Sequence, residues 1–229
     1  MQFVDPHQAV WPTTYYGEES GIGLALRALP PGARRIGLVG LGTGTITAYA
    51  QPGDYLRIYE INPEVRRLAM SPFTYLQHCP GKVEVVLGDA RLSLERESPQ
   101  QFDLLALDAF SSDAIPVHLL TKEAFDLYGR HLKPNGLIAV HISNHYLDLE
   151  PVVVNLARFF NYKLTLIDYD EHENEDEWWV YSSTWILLSH SEEILQSPTV
   201  LQAAGIVHTN SAKIPVWTDE LTSLFQVLK

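Results

Sequence analysis

From residue 35 onward, short apolar runs typical of β-strands alternate with segments of helical periodicity. The run from Leu104 to Leu107 is apolar on both faces, which is typical of a strand covered by helices on two sides. This alternation predicts an α/β fold with a doubly wound, mostly parallel sheet of seven strands. The predicted strands are Arg35–Gly40, Tyr55–Glu60, Val83–Leu87, Phe102–Leu107, Leu137–Ile142, Lys163–Ile167 and Trp185–Ser189. The predicted helices are Thr45–Ala50, Pro63–Met70, a short helix after Asp89, Val117–Leu132 and Leu149–Phe160.

Length and charge restrict the partners that such a chain can have. With 229 residues it is long enough for one substantial core, and its net charge of −12 disfavours nucleic acid and anionic membranes but suits a small cationic partner. The single cysteine, Cys79, excludes an intramolecular disulfide and a thiolate metal cluster. The apolar runs fall far short of the ~20 residues of a membrane span. We therefore expect a soluble, cytoplasmic chain.

A glycine-rich turn directly follows the first predicted strand and precedes a helix. Its glycines, Gly40, Gly42 and Gly44, allow the backbone to approach a ligand closely, and the helix start offers free N–H groups. Glu60 ends the next strand, where its carboxylate can accept hydrogen bonds from both hydroxyls of a ribose. The alternative is that Glu60 caps the helix that begins at Asn62. The pattern indicates a nucleoside site.

A third acid, Asp89, follows the third predicted strand and precedes Ala90. Its carboxylate is placed to accept a hydrogen bond from the exocyclic amine of an adenine, and an N-cap of the following helix is the alternative. Acids at the ends of successive strands beside a glycine turn are typical of the nucleoside-binding edge of S-adenosylmethionine-dependent transferases. The spacing favours one adenosine over a dinucleotide.

Two carboxylates and two hydroxyls follow the fourth strand, in the segment from Asp108 to Pro116. Carboxylates at this edge of an open sheet can hold an ammonium group and accept a proton from an attacking amine. Asp113 can instead cap a helix, whereas Asp108 directly follows the apolar run from Leu104 to Leu107 and is not explained in that way. His141, at the end of the fifth strand, is expected to line the same pocket rather than to bind a metal.

Residues 168–177 contain seven acidic side chains in ten positions. A segment so charged is expected to be a solvated, mobile loop between the last two strands. The alternative is that it collects a polycation by long-range attraction.

These motifs resemble the spermidine synthase-like (polyamine aminopropyltransferase-like) proteins of bacteria, some of which are fused to membrane transporter-like segments. The similar runs are 40–45, 59–63, 87–91, 107–121 and 141–144, together with 15–17 and 217–219. The resemblance implies a class I S-adenosylmethionine-dependent methyltransferase type of sheet with strand order 3-2-1-4-5-7-6 and an antiparallel last strand. It also implies a homodimer that transfers an aminopropyl group from decarboxylated S-adenosylmethionine to putrescine or another polyamine without a metal.

The resemblance also assigns roles to individual residues. It implies that the glycine turn with Thr43 holds the donor, that Glu60 holds its ribose, and that Asp89 with Ala90 holds its adenine. The catalytic aspartate corresponds to Asp108, which also borders the donor, and Asp113 corresponds to the aspartate that follows it. The positions at which the family holds its acceptor are Gln2, Tyr15, Tyr16 and Asp113.

Two departures from the family pattern leave alternatives open. Where the family has an aspartate for the terminal amine of the donor, this chain has Thr43, which favours S-adenosylmethionine and a methyltransferase acting on a small acceptor. The N-terminal hairpins of the family are absent, so we expect a shortened acceptor-side segment over residues 1–30 and a Rossmann-like catalytic domain over residues 31–229. A non-catalytic module that binds a nucleoside or a polyamine is the third alternative.

Overall fold

The computed structural model describes residues 1–109, 116–173, 175–208 and 214–229. These residues form a seven-stranded sheet with the order β3-β2-β1-β4-β5-β7-β6, which confirms the predicted fold and strand order. The strands are β1 Arg35–Val39, β2 Tyr55–Glu60, β3 Lys82–Leu87, β4 Phe102–Leu107, β5 Leu132–His141, β6 Lys163–Tyr169 and β7 Ser183–Ser189. Strands β1 to β5 are parallel, and β7 runs antiparallel to β5 and β6.

Helices cover both faces of the sheet. The α-helices are α1 Gly21–Ala28, α2 Pro63–Met70, α3 Tyr75–His78, α4 Ala90–Arg96, α5 Lys122–His131, α6 Glu150–Phe159 and α7 Pro198–Gln202. The side chains of β4 alternate between two apolar cores, with Leu105 and Leu107 in one and Leu104 and Ala106 in the other. As predicted, β4 is apolar on both faces because it is covered on two sides.

Strand register aligns the ends of the central strands. Val39 of β1 lies beside Tyr59 of β2 and beside Leu107 of β4. Because parallel strands end at the same edge, Glu60 and Asp108 lie close to one another across the glycine turn that follows β1.

The predicted helix over 117–132 is wrong in its extent. A short 3₁₀ helix, Val117–Leu119, is followed by α5, which begins only at Lys122. The interruption occurs because Thr121 has an extended backbone and its side chain accepts a hydrogen bond from the N–H of Ala124, so that it serves as the N-cap. Strand β5 then begins at Leu132, five residues before the predicted start.

Other elements also differ from the prediction. The segment after the glycine turn is a 3₁₀ helix, Thr45–Tyr49, and helices α1, α3 and α7 were not predicted. Helix α1 packs on β7 and β6, and its buried residues belong to one of the two cores. The proposed boundary at residue 30 stays a prediction.

The acidic segment contains more regular secondary structure than predicted. Strand β6 continues to Tyr169, which is buried, and 3₁₀ turns follow at Glu171–Glu173 and Glu175–Glu177. Within the described parts of the chain, no helix has both the length and the apolar character to span a bilayer.

Candidate functional site

The glycine turn packs directly against the end of β4. Gly40 has a φ of 98°, and a Cβ atom at this position would lie 2.4 Å from the carbonyl oxygen of Asp108. Only glycine tolerates both the positive φ and this close approach. Gly44, with a φ of 85°, is the N-cap of the 3₁₀ helix Thr45–Tyr49. At Gly42 a Cβ would meet no atom within 4 Å, so the turn borders open space into which a ligand can extend.

Glu60 fixes the glycine turn from the neighbouring strand. The residue is 7% exposed, and its carboxylate accepts hydrogen bonds from the backbone N–H groups of Leu41 (2.9 Å) and Asn62 (2.7 Å). The N-cap of α2 is Asn62 itself, whose side chain accepts from the N–H of Glu64. Glu60 therefore supports the entry to the helix without being its cap, and its remaining lone pairs are available to a ligand.

Asp89 is the N-cap of α4, as the alternative interpretation of the sequence held. One carboxylate oxygen accepts from the N–H of Leu92 (2.9 Å), and the other lies 2.9 Å from Nε2 of His118. Burial acts to raise the pKa of Asp89, but the hydrogen bonds from Leu92 and His118 outweigh it and the pKa is lowered. The same carboxylate borders a cavity beside the glycine turn.

This cavity, which we call the central cavity, has a volume of about 300 Å³, within the range of small-molecule sites. It is lined by Tyr15, Val39, Gly40, Gly42, Tyr59, Glu60, Ile61, Val65, Gly88, Asp89, Ala90, Asp108, Ala109, Pro116, His118 and Leu119. Three carboxylates and no lysine or arginine are among these residues. The described lining therefore favours a ligand that is cationic or rich in hydroxyl and amine donors.

The structure brings most of the predicted donor-side residues together and adds an apolar wall. Thr43 does not line the cavity, and its hydroxyl pairs with that of Thr45 at 2.8 Å. The wall includes Leu119 and Ile61, a large apolar side chain that is 70% exposed. The position of Ile61, directly after Glu60, is the sequence signal that would have identified it.

Asp108 is an enclosed acid of the site, with a side chain that is 5% exposed. One carboxylate oxygen accepts a hydrogen bond from the hydroxyl of Tyr16, and the other lies 2.7 Å from Nδ1 of His141. Burial and the charge of Asp108 raise the pKa of Tyr16 well above its usual range. The phenol therefore stays protonated and donates to the carboxylate.

Tyr15 and Tyr16 have different positions although they are adjacent. Tyr15 lines the central cavity and stacks on His141, with ring centroids 4.7 Å apart. The negative charge of Asp108, followed by burial, raises the pKa of Tyr15. His141 does not line the cavity as predicted; it lies behind Asp108.

Gln2 lies away from the central cavity. Its amide donates to the carbonyl of Ala9 (2.7 Å) and the hydroxyl of Thr74 (2.9 Å), and accepts from the N–H of Thr74 (2.9 Å). These bonds anchor the N-terminal segment to the residue before α3. Asp113 lies outside the described residues. In the described parts of the chain, no group of three His, Cys, Asp or Glu side chains could hold a metal ion.

Known proteins resemble this chain over part of its sequence. No protein-family profile matches the chain. A polyamine aminopropyltransferase of Vibrio vulnificus is 29% identical over 143 residues, which cover 58% of this chain and 47% of that protein. A putative O-methyltransferase of Mycolicibacterium vanbaalenii is 30% identical over 122 residues, 52% of this chain and 51% of that protein. The chain thus spans about half the length of these curated relatives.

Solved structures share the fold over more of the chain. A probable spermidine synthase from Corynebacterium glutamicum has a TM-score of 0.63 at 20% identity and covers 89% of this chain and 80% of its own. A spermidine synthase in complex with the transition state analogue AdoDATO has a TM-score of 0.59 at 15% identity, covering 90% and 69%. In sequence, part of this chain is similar to polyamine aminopropyltransferases, and its fold is similar to that of spermidine synthases and of class I methyltransferases.

Proposed function

We propose that the chain transfers an aminopropyl group from decarboxylated S-adenosylmethionine to putrescine or another polyamine. The observation that carries this proposal is the carboxylate of Asp108, which ends the apolar strand β4, borders the central cavity and receives hydrogen bonds at both oxygens. A buried carboxylate held in this way is suited to an ammonium group or an attacking amine. The relatedness to aminopropyltransferases supports the same assignment.

The donor side of the cavity suits an adenosine. The open turn at Gly42 and the free lone pairs of Glu60 are suited to a ribose, and the carboxylate of Asp89 is suited to an adenine amine. The exposed side chain of Ile61 offers an apolar surface for a planar base. When bound, the sulfonium donor would supply an electrophilic carbon and a thioether leaving group.

The acceptor side must bind an amine and remove a proton. In the proposed reaction the amine nitrogen forms a bond to the carbon, the carbon–sulfur bond breaks with its electron pair remaining on sulfur, and one N–H proton is lost. Asp108 orients the amine and accepts that proton, while Tyr15 forms the adjacent wall. The hydrogen bonds from Tyr16 and His141 keep the carboxylate in a single orientation.

A methyltransferase that acts on a small acceptor is the second candidate. It is favoured by Thr43, a neutral residue whose hydroxyl is paired with Thr45, because no acid of the glycine turn would then repel the carboxylate of S-adenosylmethionine. The similarity to a putative O-methyltransferase supports it as well. A non-catalytic nucleoside- or polyamine-binding module is the third candidate, and such a module has no need for Asp108.

Titration calorimetry followed by product analysis tests these candidates together. The chain is titrated with S-adenosylmethionine, its decarboxylated form and methylthioadenosine, and then incubated with each donor and putrescine. We expect all three nucleosides to bind and spermidine to form from the decarboxylated donor. A methylated amine would support the second candidate, and binding without any product would support the third.

We also propose that the chain forms a homodimer in the cytoplasm.

A further inference from the structure

Behind Asp108, a chain of hydrogen bonds leads away from the central cavity. His141, at the end of β5, has a side chain that is 6% exposed and does not line the cavity, so it acts on a ligand through its neighbours Asp108 and Tyr15, which do. Its Nδ1 is 2.7 Å from the carboxylate of Asp108, and its Nε2 is 3.0 Å from the hydroxyl of Ser143. Ser143 in turn accepts a hydrogen bond of 2.7 Å from the backbone N–H of Thr184.

The donor at one end and the carboxylate at the other favour one direction for these hydrogen bonds. The backbone N–H of Thr184 can only donate, so the oxygen of Ser143 is an acceptor there and its own proton is free to point towards Nε2 of His141. An imidazole that accepts at Nε2 carries its proton at Nδ1. An ionised carboxylate only accepts, so this proton is donated to Asp108.

Aromatic stacking keeps the imidazole in the plane of these bonds. The ring of Trp185 lies 4.6 Å from that of His141 with 15° between the planes, and the ring of Tyr15 lies 4.7 Å away with 27° between the planes. Trp185 is fully buried in the core, so that wall cannot move independently of the sheet. The imidazole is thereby fixed at both nitrogens and by its neighbours.

We propose that His141 is a positioning residue, held by Ser143 as the neutral Nδ1–H tautomer, which donates a hydrogen bond to Asp108 and orients its carboxylate towards the acceptor amine. A neutral imidazole leaves the negative charge of Asp108 uncompensated, so that the charge attracts an ammonium group. The hydroxyl of Tyr16 acts on the other oxygen in the same way. This inference rests on the proposed function for its kinetic consequence, but the tautomer itself does not depend on any reaction.

The tautomer is tested by long-range ¹H–¹⁵N spectra of the imidazoles in the full chain at pH 8, with His141→Asn to assign the signal. We expect the Nδ1–H pattern for His141 in the parent protein and its loss or mixing with the Nε2–H pattern in Ser143→Ala. An Nε2–H pattern in the parent protein would overturn the proposal. This measurement requires no substrate, so its result is independent of whether aminopropyl transfer is detected.

Kinetics of matched variants test the positioning role. His141→Leu removes the donor, whereas the amide of His141→Asn can occupy the place of Nδ1 and still donate to Asp108. We expect His141→Leu to lower kcat/KM for the acceptor roughly 10- to 100-fold, the usual cost of one hydrogen bond to a charged group, and His141→Asn to restore most of it. The affinity for methylthioadenosine should stay within about twofold in both. Equal losses in the two variants, or a parallel loss of nucleoside affinity with intact thermal unfolding, would contradict the role.

Discussion

The two sides of the central cavity are built in different ways. On the donor side, Glu60 and Asp89 form hydrogen bonds to backbone N–H groups of their own or the neighbouring loop, such as Asn62 and Leu92. On the acceptor side, Asp108 is held by Tyr16 and His141, which are 92 and 33 positions away in sequence. The donor side therefore combines local contacts with longer ones, such as that of Asp89 with His118, 29 positions away, whereas the acid of the acceptor side is held only by side chains of distant segments.

This difference makes the acceptor side dependent on the docking of the N-terminal segment. The N–H of Thr14 donates to the carbonyl of Trp179 (2.7 Å), and the N–H of Tyr181 donates to the carbonyl of Thr14 (3.1 Å). These bonds join residues 13–17 to the segment that leads into β7, and so place Tyr16 against Asp108. The donor side has no such requirement, because its loops follow directly from β1, β2 and β3.

The largest effect should come from the acid on the acceptor side. If Asp108 accepts the proton of the amine, Asp108→Asn should lower turnover roughly 10²-fold or more, the usual scale for a positioned general base, while methylthioadenosine still binds. Steady-state rates with putrescine and calorimetry with methylthioadenosine measure the two sides separately. Full activity of this variant would show that another acid, such as Asp113, carries the role.

On the donor side, Glu60→Ala should have two measurable effects. Loss of the carboxylate leaves the N–H groups of Leu41 and Asn62 without an acceptor, which should cost about 1 to 3 kcal/mol in the free energy of unfolding and a similar amount in nucleoside binding. Urea unfolding and calorimetry measure these, and Glu60→Gln, which retains one acceptor oxygen, is the matched control. A variant that unfolds more easily but binds methylthioadenosine normally would remove Glu60 from the ligand site.

A smaller effect is expected at Thr43, in the glycine turn of the donor side. Because Thr43 is neutral, the parent chain should discriminate between S-adenosylmethionine and its decarboxylated form by less than about tenfold, or roughly 1.4 kcal/mol. Thr43→Asp should shift the preference towards the decarboxylated form, and Thr43→Asn is the control of similar shape without charge. The comparison is made by calorimetry with both donors. A parent chain that already prefers the decarboxylated donor a hundredfold would contradict this expectation.

The smallest effect should be that of Asp89→Asn on stability. Asparagine is as good an N-cap as aspartate, so the loss at pH 7 should stay below about 1 kcal/mol. The pKa of Asp89 is lowered in the folded chain, so its ionic contribution is present above the ordinary aspartate value of about 3.9 and is lost as the pH falls through the lowered pKa. Urea unfolding at pH 7 and pH 3 should therefore show a difference between parent and variant that is smaller at pH 3. A difference of equal size at the two pH values would assign the effect to packing.

The sheet and the donor side could be predicted from sequence because their causes are local. An apolar run such as 104–107 must be covered on both faces whatever else the chain does, and the pattern that predicts β4 therefore also predicts the layers around it. The glycines of the turn and Glu60 are identified by their positions directly after strands. Asn62 and Asp89 cap the helices that follow them for the same reason.

Some features could not be predicted, either because a local cap interrupts a continuous helical pattern or because the two residues in contact are distant in sequence. The helical pattern over 117–132 is continuous in composition, but the extended backbone of Thr121 and its side-chain cap start a new helix there. Gln2 has no local signal for its bonds to Thr74, which lies 72 positions away. Neither periodicity nor spacing in the sequence predicts such a contact, because it forms only when the segments pack.

The strongest case of this kind is the environment of Asp108. From sequence, an acid at the end of an apolar strand is recognisable as a candidate catalytic residue. The resemblance to the spermidine synthase-like proteins indicates the same role for Asp108. Its hydrogen bonds to Tyr16 and His141, and the stacking of His141 on Trp185, arise only because β4, β5 and β7 lie side by side and the N-terminal segment docks at their edge. Local pattern specifies which residues form each strand and which acid ends it. The lateral order of the strands, which results from packing over the whole sheet, selects the partners that give that acid its orientation and charge.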